Sequence, residues 1–306
     1  MDGFGLAYVA LVSKDVPVAA RVLGELLGLS RGDTAFGAGG RVPVFALGET
    51  ALALFAPDDP FLGGGARPGV HHVALAADDP RRAAEELRAA GFRTAPAPAP
   101  AGEAVALDPT ETAGVPLRLH PALGLGDNRS EWADRIDPVG IASADNEAAV
   151  GVFCGRLGCP LERRQTDMEV QIAVESFTSD RYGVVYHTRP PVPVGGLRVA
   201  FVTTGDCELE FLQNFDPDQA GQVWRGAAGD TRQDQGAIAR FVAARGPGLH
   251  HIAFKTPDID RTLARLAQAG LPLIDRKGRP GSRRARIGFV HPDAMGGVLI
   301  HAVERS

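Results

Sequence analysis

Long apolar runs, cysteine and surplus positive charge are all scarce in this chain. No apolar stretch approaches the roughly 20 residues that cross a bilayer as a helix, and no charged leader precedes an apolar core at the N-terminus, so neither a membrane span nor an export signal is expected. Cys154, Cys159 and Cys207 are an odd number without zinc-type spacing; reduced thiols and a cytoplasmic location are expected. A net charge of −5 and the lack of a basic arm give no footing for nucleic acid. What is present is ordinary globular material. The 306 residues are 44% hydrophobic and 23% charged, enough for one large domain or two of ordinary size.

The informative feature is a repeat. GVHHVALAADD (69–79) and GLHHIAFKTPD (248–258) place a histidine pair at the start of an apolar run. Asp79 and Asp258 follow His72 and His251 at +7, and Gly91 and Gly270 follow at +19. YVALVSKD (8–15) with Gly28, and PVGIASAD (138–145) with Gly158, keep nearly the same register, which makes four copies of one unit. Each copy opens on a short apolar strand. The aspartate then sits where a helix N-cap accepts from free N–H groups. In the last copy Ile259, Leu263, Leu266 and Ala267 share one helical face, and in the second Ala83, Ala84 and Leu87 do so. The glycine falls at the helix C-terminus, and strand candidates such as RVPVFALG, TALALFA and CELEFLQ follow. The unit reads β-α-β-β-β.

Two copies fill about 1–122 and two about 134–306, with LGLGDNRSEWAD as a linker between them. The second half is longer because 166–196 adds a segment, expected to be a hairpin or lid, and APAPAPAG (95–102) is expected to be a stiff loop.

Paired β-α-β-β-β units with HHIAF strands resemble the vicinal oxygen chelate superfamily, which includes glyoxalase I, methylmalonyl-CoA epimerases, extradiol dioxygenases and fosfomycin-resistance proteins. IDPVGIAS, GDCELEFLQ, GPGLHHIAF and RIGFVHPDAMGGVLIHAVE occur in the order of the epimerase strands, so the C-terminal half is most similar to the methylmalonyl-CoA epimerases. The resemblance implies an α+β fold, with four units paired into two cupped eight-stranded mixed sheets and helices on the outer face. It implies one divalent ion (Co, Ni, Zn, Mn or Fe) in a cup, held from the first and last strands of each unit. Carried over, those places are Pro138, Glu210, His251 and His301 in the second half. Proline cannot be a ligand, which leaves Glu210, His251 and His301 as the implied metal set, two imidazoles and a carboxylate with open positions for substrate oxygens. The first half offers Tyr8, Ala53, His72 and Arg118; Ala53 has no donor and Arg118 repels a cation, so that half is expected to be degenerate.

The function implied is a metal-dependent enzyme of the glyoxalase and epimerase type, acting beside a carbonyl and stabilising an enolate-like intermediate. Its nearest named activities are acyl-CoA epimerase, isomerase or lyase. Glu208, Glu210 and His187 are the candidate proton carriers. A small-molecule substrate of the acyl-CoA kind is implied, with no nucleic acid or membrane partner, and a homodimer is left open. An iron(II)-dependent extradiol-type dioxygenase and a non-enzymatic small-molecule-binding protein of the resistance type are the alternatives. His187 is expected in a solvated loop unless the added segment carries it to the cup in place of Pro138; Gln171 and Glu175 could reach in the same way. His71 and His250 are expected on the helix-facing side by strand parity. The basic run RKGRPGSRRARIG (276–288) reads as a solvated hairpin tip, with a CoA phosphate as the other partner it could meet.

Overall fold

The computed structural model describes residues 4–37, 40–96, 105–125, 128–171, 174–179, 181, 183–188, 190, 192–216 and 236–305; the side chains of 169–171, 174–179, 185–188 and 193–194 lie outside that description. The first half contains β1 (Leu6–Val12), β2 (Arg31–Ala35), β3 (Arg41–Leu47), β4 (Thr50–Phe55), β5 (Gly69–Ala76), β6 (Thr94–Pro96), β7 (Val105–Leu107) and β8 (Leu117–His120). They form one eight-stranded sheet in the order β2-β3-β4-β1-β5-β8-β7-β6. The second half repeats this with β9 (Ile136–Ser143), β10 (Leu161–Gln171), β13 (Val192–Thr204), β14 (Cys207–Asn214), β15 (Gly248–Lys255), β16 (Arg279–Pro280), β17 (Arg286–Val290) and β18 (Ile300–Glu304). Its order, β10-β13-β14-β9-β15-β18-β17-β16, is the same order of equivalents. The units therefore pair within a half. In each, the two unit-opening strands run antiparallel at the centre, and each is flanked by a parallel partner, its own unit's last strand.

The repeat's punctuation acts as its chemistry requires. Asp15, Asp79, Asp145 and Asp258 each accept from backbone N–H groups at the start of α1 (Val16–Arg21), α2 (Pro80–Ala89), α3 (Asn146–Val150) and α5 (Ile259–Gln268). Gly28 and Gly270 take left-handed backbones, φ +67° and +83°, where the chain leaves the helical segment. One further helix, α4 (Gly236–Arg245), stands outside the repeat.

One apolar core spans both halves, built from the helices and the sheet faces they cover. The stretch expected as a linker is pinned into it. Trp132 is buried with the Arg261 and Arg265 guanidiniums over its ring, at 4.2 and 4.5 Å, and Ser130 Oγ donates to the Leu27 carbonyl. The added segment is a hairpin: β10 and β13 are elongated, and β11 (Val174–Ser179) with β12 (Gly183–Thr188) forms a separate two-stranded ribbon between them. The 97–102 part of the Pro-rich run lies outside the described residues. None of the helices described is long and apolar enough to cross a membrane, and the three cysteines form no disulfide.

Candidate metal centre in the second cup

Gly140 on β9 is the register point of the site. It lies opposite Glu210 of β14 on one side and His251 of β15 on the other, while His301 of β18 pairs with Ala253, two residues further along β15. Strand alternation turns all three side chains to the concave face. They line one cavity of about 50 Å³ together with Pro138, Phe289 and Arg283. Glu210, His251 and His301 are 7%, 3% and 5% exposed. His251 Nε2 stands 3.8 Å from Glu210 Oε2, and the two imidazole centroids are 4.9 Å apart, nearly perpendicular. His301 stacks on Phe289, 4.5 Å between centroids. A Cβ at Gly140 would fall inside the His251 ring, so only glycine leaves room for that imidazole.

The doubled histidine has a structural cause. Along β15 the pairing with β9 jumps from Leu249 to His251, and along β5 the pairing with β1 jumps from Val70 to His72. His71 and His250 are thus the extra residues of β-bulges, which re-aim side chains and break the alternation. Instead of facing the outer helices, as parity predicts, each turns beside its neighbour. His250 Nδ1 lies 3.0 Å from His251 Nδ1, and His71 Nδ1 lies 2.8 Å from His72 Nδ1. In the second half this fixes the His251 ring and leaves its Nε2 for the cup.

Burial governs the electrostatics. It drives His301 down to about 3, with Arg279 and His250 adding, and His251 well below the usual imidazole range, with His301 and His250 adding. Both rings are neutral near pH 7, so the approach of His251 to Glu210 is no ion pair. Burial raises the Glu210 carboxyl to about 8; Arg283 opposes this, and Asp167, Glu208 and Asp137 reinforce it. His251 Nε2 and both ring nitrogens of His301 are buried without any hydrogen-bond partner. Such atoms cost about 1–3 kcal/mol each when left unsatisfied, and they are the donors a divalent ion takes from neutral imidazole. Donor types and burial therefore fit a metal. The coordination shell is not drawn in, since no group of three His, Cys, Asp or Glu among the described residues is arranged to hold an ion as it stands.

The other expected proton carriers stand elsewhere. Glu208 sits in an arginine network, hydrogen-bonded to Arg283 at 2.5 Å and Arg305 at 3.0 Å. Burial pushes its carboxyl up, but the bonds and charge of those arginines overcome this and hold it at about 2. His187 lies on β12 opposite Glu175 of β11, and its side chain, like those of Glu175 and Gln171, is outside the described residues.

The basic run is not uniformly solvated. Arg283, its side chain 8% exposed, lies over the Phe201 ring at 3.7 Å and bridges Glu162 and Glu208, with Asp137 at 3.7 Å. Arg283 and Arg284 both have left-handed backbones, φ +58° and +59°, which turn the run inward. Periodicity carries no sign of two consecutive non-glycine residues in that conformation. Only the doubled histidine hinted at His250.

In the first cup the equivalent positions, by the same strand registers, are Ala10, Ala53, His72 and Arg118. Phe36, Phe55 and Phe61 fill its interior beside Tyr8. Tyr8 hydroxyl meets His72 Nε2 at 3.1 Å, and Arg118 lies over Phe61 and donates to its carbonyl.

Residues 5–118 and 137–289 match models of the Glyoxalase/Bleomycin resistance protein/Dioxygenase superfamily. Over 112 residues, 36% of this chain, the sequence is 24% identical to mitochondrial methylmalonyl-CoA epimerase of Bos taurus, and the match spans 54% of that protein. A mutant 4-hydroxymandelate synthase from Streptomyces coelicolor superposes with a TM-score of 0.63 over 99% of this chain and 93% of that one, at 17% identity. The Mn(II)-bound glyoxalase from Novosphingobium aromaticivorans gives 0.57 over 99% and 82%, at 14% identity. At these identities the structural likeness is one of fold.

Proposed function

This chain belongs to the Glyoxalase/Bleomycin resistance protein/Dioxygenase superfamily, and from that membership we propose that its second half is a divalent-metal enzyme acting on the carbon beside a carbonyl, of the epimerase, isomerase or lyase kind. The observation that carries this reading is the convergence of Glu210, His251 and His301 on one cavity with three buried ring nitrogens unsatisfied. Those residues would hold the ion, which would supply Lewis-acid stabilisation of negative charge developing on a substrate carbonyl. His250 fixes the His251 ring through the bulge, and Phe289 fixes His301 by stacking and helps exclude water. Glu210 is the carboxylate that lines the cup beside both imidazoles, which makes it the candidate to move a proton as well as to hold the ion. Glu208, held at about 2, is the weaker base.

A cavity of about 50 Å³ has room for an ion and a few waters but not for an acyl chain. Substrate entry in this reading displaces Arg283 and the rest of the 282–285 segment that lines it. An acyl thioester is the substrate class that the likeness to the bovine epimerase supports.

The test is incubation of metal-loaded protein with methylmalonyl-CoA in deuterated water. Uptake of deuterium at the α-carbon with at least one divalent ion, lost in His301→Ala, is the expected result. No uptake with Co, Ni, Zn, Mn or Fe removes the acyl-CoA reading. Oxygen consumption with catechols on the iron(II) form moves the assignment to the dioxygenase chemistry that the same donor set serves.

A further inference from the structure

A second recess lies between the halves, where the beginnings of β5 and β15 approach each other. It is a groove of about 650 Å³, walled on one side by α4, and Arg67, Arg240, Arg245, His71 and His250 line it around Phe241. All three arginines are exposed, and no Asp or Glu is among its described lining residues. In a chain of net charge −5, that concentrates positive charge against the overall sign. Phe241 organises it, with the Arg245 guanidinium 5.2 Å from its ring and His250 edge-on at 5.0 Å.

One tautomer of the chain through Tyr8 and His72 makes the first bulge histidine a donor. In that tautomer Arg118 faces the Tyr8 oxygen and the Tyr8 hydroxyl gives its proton to His72 Nε2. His72 then carries its proton on Nδ1 and gives it to His71 Nδ1. That leaves Nε2–H as the free donor of the His71 ring, which lines the groove. Among the described lining residues the walls thus offer the Arg67 and Arg245 guanidinium forks and an imidazole N–H, and no carboxylate. Guanidinium forks match phosphate oxygens in pairs, and the volume falls within the 300–1,000 Å³ typical of small-ligand sites.

We propose that this inter-half groove binds a phosphate group of a small ligand, separately from the metal cup. The site needs no metal and does not depend on the reading of the second cup.

Titration of the full-length, metal-loaded protein with inorganic phosphate at constant ionic strength, followed by calorimetry, tests it. Saturable binding with one phosphate per chain is expected, weakened at least tenfold in Arg67→Ala/Arg245→Ala, whose two side chains are exposed and whose loss leaves the fold intact. His301→Ala, which disables the cup, should leave phosphate affinity unchanged. If His301→Ala abolishes binding, phosphate sits on the cup's metal and the groove assignment is wrong. It is equally overturned by the lack of saturable heat, by an unchanged affinity in the double variant, or by malonate binding as tightly as phosphate.

Discussion

The two cups share a backbone, a strand order, a register and even the histidine bulge, yet their interiors have opposite character. In the first, the buried Tyr8, His72 and Arg118 side chains each find a protein partner. His72 has Tyr8 on one nitrogen and His71 on the other, Arg118 has Tyr8 and the Phe61 carbonyl, and one contiguous apolar cluster fills the remaining space. In the second, the apolar lining is split into two clusters, one around Phe201 and Leu212 and one around Ile287 and Val303. Glu210, His251 and His301 share the cavity with them, and three ring nitrogens are unmatched. Imidazole nitrogens left unsatisfied in the second cup, where the first-cup imidazole of His72 is satisfied on both nitrogens, mark where an outside ligand is expected to complete the structure.

The contrast breaks most sharply at Gly140. Its counterpart Ala10 carries the Cβ that the second cup cannot tolerate, so Gly140→Ala drives the His251 ring from its place. Displacing a ligand from its supporting shell costs roughly 10–100-fold in metal affinity. Competition against a chelating dye measures this, and Ala10→Gly in the first cup should leave the affinity where it was.

A smaller effect sharpens the comparison through pH. Burial raises the Glu210 carboxyl from 4.5 to about 8, so between those values the metal-free fold keeps a proton that the unfolded chain has lost, and stability falls as pH climbs. His71, His72, His250, His251 and His301 have lowered values and add the opposite slope, which is still at half strength at pH 6.5 and fades above it. Between pH 6.5 and 8 the Glu210 share of the loss amounts to about 2 kcal/mol at about 1.4 kcal/mol per pH unit, and the histidines offset it in the total. Urea unfolding of chelator-treated wild type and Glu210→Gln at the two pH values should show it as the difference between their pH dependences. Glu210→Gln should remove it, and nothing equivalent exists at Ala53.

Most of the fold was legible in the sequence, because it is written in features with one physical meaning. The aspartate caps, the glycines after the helices and the alternation of apolar strands recur four times, and all four units form as read. Strand parity also placed Glu210, His251 and His301 on the concave face. Parity failed at His71 and His250, because a bulge adds one residue without altering composition. It also said nothing of Arg283, whose inward turn depends on a backbone conformation that arginine rarely adopts. The filling of the first cup by Phe36, Phe55 and Phe61 escaped notice as well: Phe36 lies just after β2, and Phe61 lies in a short helical turn after β4, outside any strand pattern.

Metal content per chain, determined by elemental analysis after loading and desalting, tests the asymmetry of the two cups most directly. The expected values are one divalent ion in the wild type, one in His72→Ala despite a loss of stability of about 1–3 kcal/mol from its broken hydrogen bonds, and none in His301→Ala. Two ions per chain, none at all, or one that survives His301→Ala would contradict a single metal centre in the second half.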